Sequence, residues 1–310
     1  PMKQKKYSVT LIGLGNIGFL YDLDQYRKGF IKTHSKAIKK HPNFKLLCGI
    51  EINRKKANKF KEVYKLPVFS TFTRSLLNYL PDIVVIAVPS KQHKSIVQEV
   101  VENHKPKYIL IEKPMGSSLN EAEYIYRLCN KERVKLAVNY PRVCDKNFMK
   151  IKKLIQKTKK YVTGEVFYTK GLLHNGSHFL NLMENYFGKV KQLKVIGRQS
   201  LNQKLKKQIK IRFNFANASI MFTPLNNSSK KANTIELLVD DKKIFFNKDS
   251  NIYINYLKSK DNIVITKTTQ NKYQYLVYQE LLNVIENRKS LICDDKKALD
   301  TFKNFKGLRI

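Results

Sequence analysis

A glycine-rich turn constrains this chain more than any other feature. Gly13-Leu14-Gly15-Asn16-Ile17-Gly18 follows directly on the apolar run Val9-Thr10-Leu11-Ile12. A parallel strand that delivers the chain to the crevice end of a sheet needs room to turn into the next element. Gly13 permits the tight turn, Gly15 lets a pyrophosphate approach the backbone, and Gly18 lets a following helix pack closely. The start of that helix, with Asn16 and Ile17 in its approach, is expected to offer unpaired N–H groups and a positive dipole end to phosphates. A lone GxGxxG is equally a plain glycine turn. Its place between a strand-like run and a helix-like start gives it the dinucleotide reading.

The next strand-like run, Phe44 to Ile50, ends at Glu51. A carboxylate there accepts hydrogen bonds from a ribose 2′-OH and repels a 2′-phosphate, which favours NAD, with NADP still possible. Arg54, Lys55 and Lys56 lie just beyond. They either soften that preference or form the solvated first turn of a helix. The acid ordinarily follows the glycines by about 20 residues, and here the gap is clearly longer. The extra segment runs from Phe19 to Thr33 and carries Tyr21, Asp22, Asp24, Tyr26, Arg27 and Phe30. It reads either as structural filler or as a flap over cofactor or substrate.

A second motif, Glu112-Lys113-Pro114, follows the apolar run Tyr108-Ile109-Leu110-Ile111 and sets a lysine at the end of a buried strand. Up to Arg142 the chain alternates short apolar runs with helical patterns. Strands are expected at 7–12, 44–50, 68–69, 83–88, 108–111 and 135–139, and helices at 54–64, 73–79, 90–103 and 120–131. Strand–helix alternation with continuous apolar strands predicts a doubly wound parallel sheet covered on both faces. Beyond Arg142 the texture changes. A helix at 145–156 is followed by strand-like runs at 162–168, 193–198, 209–215, 219–222, 234–239, 243–246, 252–257 and 263–267, then helices near 272–286 and 295–305. Short turns between those runs predict a mainly antiparallel sheet. The expected division is therefore an α/β domain over 1–142 and an α+β domain over 143–310.

Charge adds one constraint. Lysine and arginine number 60 against 24 acidic residues, a formal net charge of +36. The lysines are dispersed, with no basic block, RNP-like aromatic motif or zinc-finger spacing, so no specific nucleic-acid binding is expected. Lysines spread along the whole length fit a generally lysine-rich composition first, with anionic, phosphorylated substrates favoured second. Cys48, Cys129, Cys144 and Cys293 stand far apart with no CxxC pair, which fits reduced thiols in a cytoplasm. No apolar run reaches membrane-spanning length. The lysines before the first apolar stretch lead into the glycine turn and not into a cleavage site, so no signal peptide is expected.

Taken in order, these motifs resemble the Gfo/Idh/MocA family of NAD(P)-dependent oxidoreductases. The resemblance rests on the glycine turn, on Ala87-Val88-Pro89 with His93 four residues after the proline, and on Glu112-Lys113-Pro114. It also rests on Asn139-Tyr140 with Arg142, and on Leu173-His174-Asn175-Gly176-Ser177-His178. It covers nearly the whole chain. It implies a Rossmann domain, then an α/β domain whose open antiparallel sheet builds a homodimer or homotetramer, with the substrate pocket where the two domains meet. It implies a sugar or nucleotide-sugar substrate, and the wording of the His174–His178 segment is similar to members placed in bacterial surface-glycan pathways. Pro89, His93, Glu112 and Lys113 would then join the glycine turn and Glu51 at the cofactor. Lys113 would also act on the reacting oxygen, with a cis peptide before Pro114, and His178 would exchange the proton. His174, Asn175, Tyr140 and Arg142 would touch substrate. One departure stands out: His174 occupies the place where the family commonly has aspartate, which leaves the proton relay open and admits a weakly catalytic NAD-binding regulator. The His174/His178 pair, one turn apart on a helix, also has zinc-ligand spacing, but no third ligand accompanies it.

Overall fold

A computed structural model of the chain describes residues 6–23, 29–200, 208–257, 263–266 and 270–308. Asp24, Tyr26 and Arg27 of the inserted segment, and Lys267, lie outside the described residues. The chain forms two compact units, Pro1–Cys144 with Asn271–Asp300, and Asp145–Gln270 with Thr301–Ile310.

The first unit carries a seven-stranded sheet built from β1 (Tyr7–Ile12), β2 (Phe44–Ile50), β3 (Val68–Phe69), β4 (Ile83–Ile86), β5 (Tyr108–Glu112), β6 (Lys135–Asn139) and a late short strand, β15 (Cys293–Asp294). Their order is β15-β6-β5-β4-β1-β2-β3; β15 is antiparallel to β6 and the rest pair in parallel. Val9, Leu11, Ile83–Ile86 and Ile109–Ile111 are all essentially inaccessible to solvent. Burial on both faces is why these strands read as unbroken apolar runs. The crossing helices are α1 (His34–Lys40), α2 (Arg54–Tyr64), α3 (Phe72–Ser75), α4 (His93–Asn103) and α5 (Leu119–Lys131). Their starts are locally encoded. The side chains of Asn53, Thr71 and Ser118 accept from the amides of Lys56, Arg74 and Glu121, each satisfying one orphan donor of a helix N-terminus.

The second unit carries α6 (Lys146–Lys157), α7 (Ser177–Phe187) and an eight-stranded sheet of β7 (Val162–Tyr168), β8 (Gln192–Gln199), β9 (Gln208–Asn214), β10 (Ala218–Pro224), β11 (Thr234–Val239), β12 (Lys242–Phe246), β13 (Ile252–Tyr256) and β14 (Ile263–Thr266). The order is β14-β13-β12-β11-β7-β10-β9-β8, antiparallel except for the β7–β10 pair. Burial alternates along β9 and much of β10, so one face of this sheet is packed and the other faces out. The fold class is thus an α/β chain with a Rossmann-type parallel sheet and a second, mainly antiparallel sheet.

Two departures from expectation matter for function. The helix expected directly after Gly18 does not form as one piece. Residues 16–19 make a turn, Leu20–Asp22 a single 3-10 turn, and α1 starts only at His34. Yet the amides of His34 and Ser35 bond the carbonyls of Ile17 and Gly18 at 3.0 Å each. The helical hydrogen-bond ladder that begins in the glycine turn thus continues at His34 and Ser35. Asp22 closes the neck of the inserted segment, accepting from the amides of Lys32 and Thr33 at 2.7 and 3.1 Å and from the Thr33 hydroxyl at 2.6 Å. The second departure is the segment Asn271–Asp300, which was expected with the second domain and packs with the first unit. It contains α8 (Tyr273–Ile285), whose Gln274 and Tyr278 side chains bond His34, and β15, which extends the parallel sheet beside β6. Long-range pairing decides that membership, and no composition break precedes it.

Candidate functional site

The carboxyl end of the parallel sheet collects most of the expected residues of the first unit. The glycine turn there is sterically exacting. Gly13 has a φ of +93°, and an added Cβ would stand 2.6 Å from the Ala87 carbonyl oxygen; at Gly18 it would stand 2.1 Å from the Gly13 oxygen. Any side chain at either position forces the backbone apart. At Gly15 a Cβ would meet nothing within 4 Å, so that glycine answers to no neighbour in the fold. Such a pattern suits a backbone that a dinucleotide pyrophosphate approaches closely. Asn16 is exposed and Ile17 half-buried.

Glu51 stands beside this turn in space despite its distance in sequence. Its Oε2 accepts from the Leu14 amide at 3.0 Å and its Oε1 from the Asn53 amide at 2.9 Å. The carboxylate is thereby aimed at the rim of the turn from the end of β2, and the long gap is absorbed by the inserted segment. Arg54 and Lys55 sit exposed in the first turn of α2.

Glu112, Lys113 and Pro114 end β5, and the Lys113–Pro114 peptide is cis. Lys113 is half-buried. Glu112 sits in a hydrogen-bonded network: its Oε1 lies 3.0 Å from His34 Nε2 and accepts from Asn139 Nδ2 at 2.6 Å, while the buried Asn139 Oδ1 finds no partner. Burial on its own raises this carboxyl, but the bond from His34 and the electrostatic pull of that ring, the bond from Asn139 and the charge of Lys113 outweigh it and hold Glu112 below the usual carboxylate range. The resemblance groups Glu112 with the cofactor ligands, whereas its carboxylate is engaged with protein groups behind the strand end.

His93 departs further from expectation. It is fully buried, with Nδ1 3.0 Å from the Pro114 carbonyl and Nε2 3.0 Å from that of Val88. Burial lowers its pKa despite those carbonyls. It braces the ends of β4 and β5 from inside and presents no open face. Pro89 is exposed, immediately before a 3-10 turn at Ser90–Gln92. Tyr140 is buried, and Arg142 is half-buried just past β6. Desolvation draws the Arg142 guanidinium to about 10, which still leaves it a cation at neutral pH. Tyr273, at the start of α8, is raised by burial and by the charge of Glu112, with Tyr21, Asp22 and Arg142 also acting on it. That places the near end of the insertion in the same electrostatic neighbourhood.

In the second unit, His174, Asn175 and His178 lie on an irregular helix start. Leu172–Gly176 is a single π turn, marked by the Gly176 amide reaching the Gly171 carbonyl at 3.2 Å, and α7 follows. His174 belongs to the wide turn and is exposed, while His178 belongs to α7 and is half-buried. The simple picture of two histidines one α-turn apart is therefore replaced by a π-to-α junction, a feature that concentrates at functional sites. Asn175 Nδ2 donates to Thr169 Oγ1 at 3.2 Å. Among the described residues no cluster of three or more His, Cys, Asp or Glu could hold a metal, and no helix is long and apolar enough to cross a membrane.

Sequence reasoning did not find His34, Gln274 or Tyr278. Each is buried and polar, and no local pattern marks them.

Comparison with known proteins places these features. A curated relative, the uncharacterised oxidoreductase YrbE of Bacillus subtilis (strain 168), is 27% identical over 154 residues, 49% of this chain and 40% of that protein. The match thus spans about two fifths of that relative's length. Three solved structures share the fold over almost the whole chain. The WlbA dehydrogenase of Bordetella pertussis, in complex with NADH and UDP-GlcNAcA, has a TM-score of 0.74 at 17% identity, covering 97% of this chain and 94% of its own. An oxidoreductase from Agrobacterium radiobacter, in complex with NAD+, L-tartaric acid and magnesium, has a TM-score of 0.74 at 14% identity, covering 96% and 94%. The UDP-N-acetylglucosamine 3-dehydrogenase GnnA of Acidithiobacillus ferrooxidans has a TM-score of 0.73 at 14% identity, covering 96% and 95%. Residues 8–140, from β1 through the end of β6, match the model of an oxidoreductase family described by its NAD-binding Rossmann fold. Over those residues the chain is similar to the Gfo/Idh/MocA oxidoreductases, and beyond them the solved structures extend the likeness of fold alone.

Proposed function

We propose that this protein is an NAD-dependent dehydrogenase acting on a CH–OH carbon of a sugar or nucleotide-sugar. The observation that carries the reading is the shared carboxyl edge of one parallel sheet: β1 ends in the glycine turn, β2 in Glu51 and β5 in Glu112-Lys113. Open α/β sheets bind ligands in the crevice at that edge. Gly13, Gly15, Gly18 and Glu51 would hold the cofactor, which when bound supplies the hydride acceptor. Lys113, an ammonium just past β5, donates a hydrogen bond to the reacting oxygen and stabilises negative charge that develops there. His178 takes the hydroxyl proton, a role imidazole fills near neutral pH. His174, Asn175, Tyr140 and Arg142 are the proposed substrate contacts. A formal charge of +36 and the UDP-sugar ligands or activities named for two of the structural relatives both favour an anionic, nucleotide-linked substrate. A place in surface-glycan synthesis, a cytoplasmic location and a homodimer or homotetramer built on the second sheet are consistent proposals.

The test is NADH formation from NAD+ with a panel of UDP-sugars, UDP-GlcNAcA included, alongside the Lys113→Ala and His178→Ala variants. The reading requires turnover by the wild type and its near-complete loss in both variants, with NADH affinity kept. Tight NADH binding with no turnover on any sugar would leave a regulator or a reductase of another carbonyl or imine. His174, where the family commonly has aspartate, favours keeping that second reading in view.

A further inference from the structure

His34 touches both motifs of the first unit. Its backbone amide bonds the Ile17 carbonyl inside the glycine turn at 3.0 Å. Its ring reaches the other motif, with Nε2 3.0 Å from Glu112 Oε1. The ring has no exposed surface and the Glu112 side chain is 12% exposed. Around them stand Tyr278, with its hydroxyl 2.9 Å from His34 Nδ1, and Gln274, whose Nε2 lies 2.7 Å from Nδ1 and 3.0 Å from Nε2.

The hydrogen-bond directions follow from one charge. An ionised carboxylate only accepts, so the Asn139 group 2.6 Å from Glu112 must be its Nδ2. The same Nδ2 donates to Gln274 Oε1 at 3.3 Å. That turns the Gln274 amide so that its nitrogen faces His34, nearest to Nδ1. The same carboxylate requires the ring nitrogen beside it, Nε2, to donate to Glu112. The reverse orientation of both amides would set two oxygens against each other at Glu112. The Tyr278 phenol is raised well above its ordinary value by burial and the nearby Glu112 charge, so it stays a neutral hydroxyl.

We propose that His34, through its Nε2–H, is a positioning residue that ties the cofactor turn to the Glu112-Lys113 strand end. It fixes the carboxylate beside Lys113 and so sets where the ammonium stands relative to the glycine turn. The inserted segment serves the same tie, because Asp22 and Thr33 close its neck immediately before His34. The effect on turnover rests on the function proposed above; the strand-end rigidity does not.

The experiment uses the full-length protein. Hydrogen exchange of the peptide containing residues 112–116 is compared in His34→Gln and His34→Asn. Glutamine returns a donor near the Nε2 position, and asparagine returns one only near Nδ1. Exchange there is expected to rise about 10- to 100-fold in the asparagine variant, the size of a buried hydrogen bond to a charged group, and to stay near wild type in the glutamine variant. Equal exchange in wild type and both variants, or equal loosening of both variants, refutes positioning through Glu112. With a substrate in hand, the asparagine variant should lose kcat and keep its NADH dissociation constant. If no substrate is turned over, the proposed function fails while the exchange results still decide this inference.

Discussion

At the carboxyl end of β1 the first unit is shaped by side chains that are missing, and at the carboxyl end of β5 by side chains brought in from far away. The glycine turn works through backbone clearance. Gly13 and Gly18 are compelled by contacts within a few residues or with the adjacent strand end, and Gly15 faces open space. The Glu112 end works through a network drawn from α1, β6 and α8, in which a buried carboxylate is satisfied by His34 and Asn139 and backed by Gln274 and Tyr278. The first kind of site tolerates no added atom but is indifferent to distant sequence. The second tolerates modest changes of shape but depends on every donor pointing the right way, since a half-satisfied buried network is costly. The division of labour this suggests is cofactor holding at one end and control of the reacting oxygen at the other.

The sharpest way to break that comparison is a pair of substitutions. Lys113→Ala should lower turnover about 10²–10⁴-fold while NADH affinity stays near wild type, because its part is polar stabilisation at the reacting oxygen. Gly18→Ala should act in the opposite sense. Its Cβ is forced into the Gly13 carbonyl, so NADH affinity and thermal stability fall together, by about 1–3 kcal/mol in stability as for other overpacked sites. If Lys113→Ala abolished NADH binding, as judged by fluorescence titration, the two ends would not be separable.

Glu112→Gln probes the network by pH. The folded-state pKa of Glu112 lies below its ordinary 4.5, so its contribution is present above the unfolded value and is lost as pH falls through the folded one. The variant should be less stable than wild type at pH 7 by about 1–3 kcal/mol, the scale of a charged buried hydrogen bond. Urea melts should show that gap narrowing only on the acid side of pH 4.5. A gap that stayed constant into strong acid would mean that charge is not what Glu112 contributes.

Glu51→Gln sharpens the cofactor end. Removing the negative charge at the rim of the turn should shift the ratio of NADPH to NADH dissociation constants about 10-fold toward NADPH, the order of one lost charge interaction. An unchanged ratio would move the discrimination to Arg54 and Lys55. The smallest expected effect is at Gly15. Gly15→Ala should change stability by no more than about 0.5 kcal/mol, as for a site that meets no neighbour, while weakening NADH. Equal losses at Gly15 and Gly18 would contradict the view that one glycine serves the ligand and the other the fold.

Much of this was readable in the chain itself. The six main strands of the parallel sheet announce themselves as apolar runs, and the second sheet as short runs with alternating burial, because side-chain period and solvent exposure are local properties. Gly13, Gly18, Glu51 and Lys113 could be singled out from their places next to those runs. What His93 touches was not legible, since a histidine after a strand end has the same sequence appearance whether it faces a crevice or, as here, lies fully buried against two carbonyls. The π turn at Leu172–Gly176 was equally hidden, because one widened turn leaves the helical spacing of apolar residues almost unaltered.

By itself, then, the sequence determined the parallel sheet, the glycine turn and the lysine at the end of β5, all of which follow from steric and periodic constraints acting over a few residues. Tertiary structure decided that α1 resumes the interrupted turn at His34, that Asn271–Asp300 joins the first unit, and that Glu112 is held by residues 78 and 27 positions away, with Gln274 240 positions from His34 and Tyr278 244. Those choices are made by hydrogen-bond satisfaction in a buried, low-dielectric interior. Their partners share no local pattern, so nothing short of the folded chain brings them together.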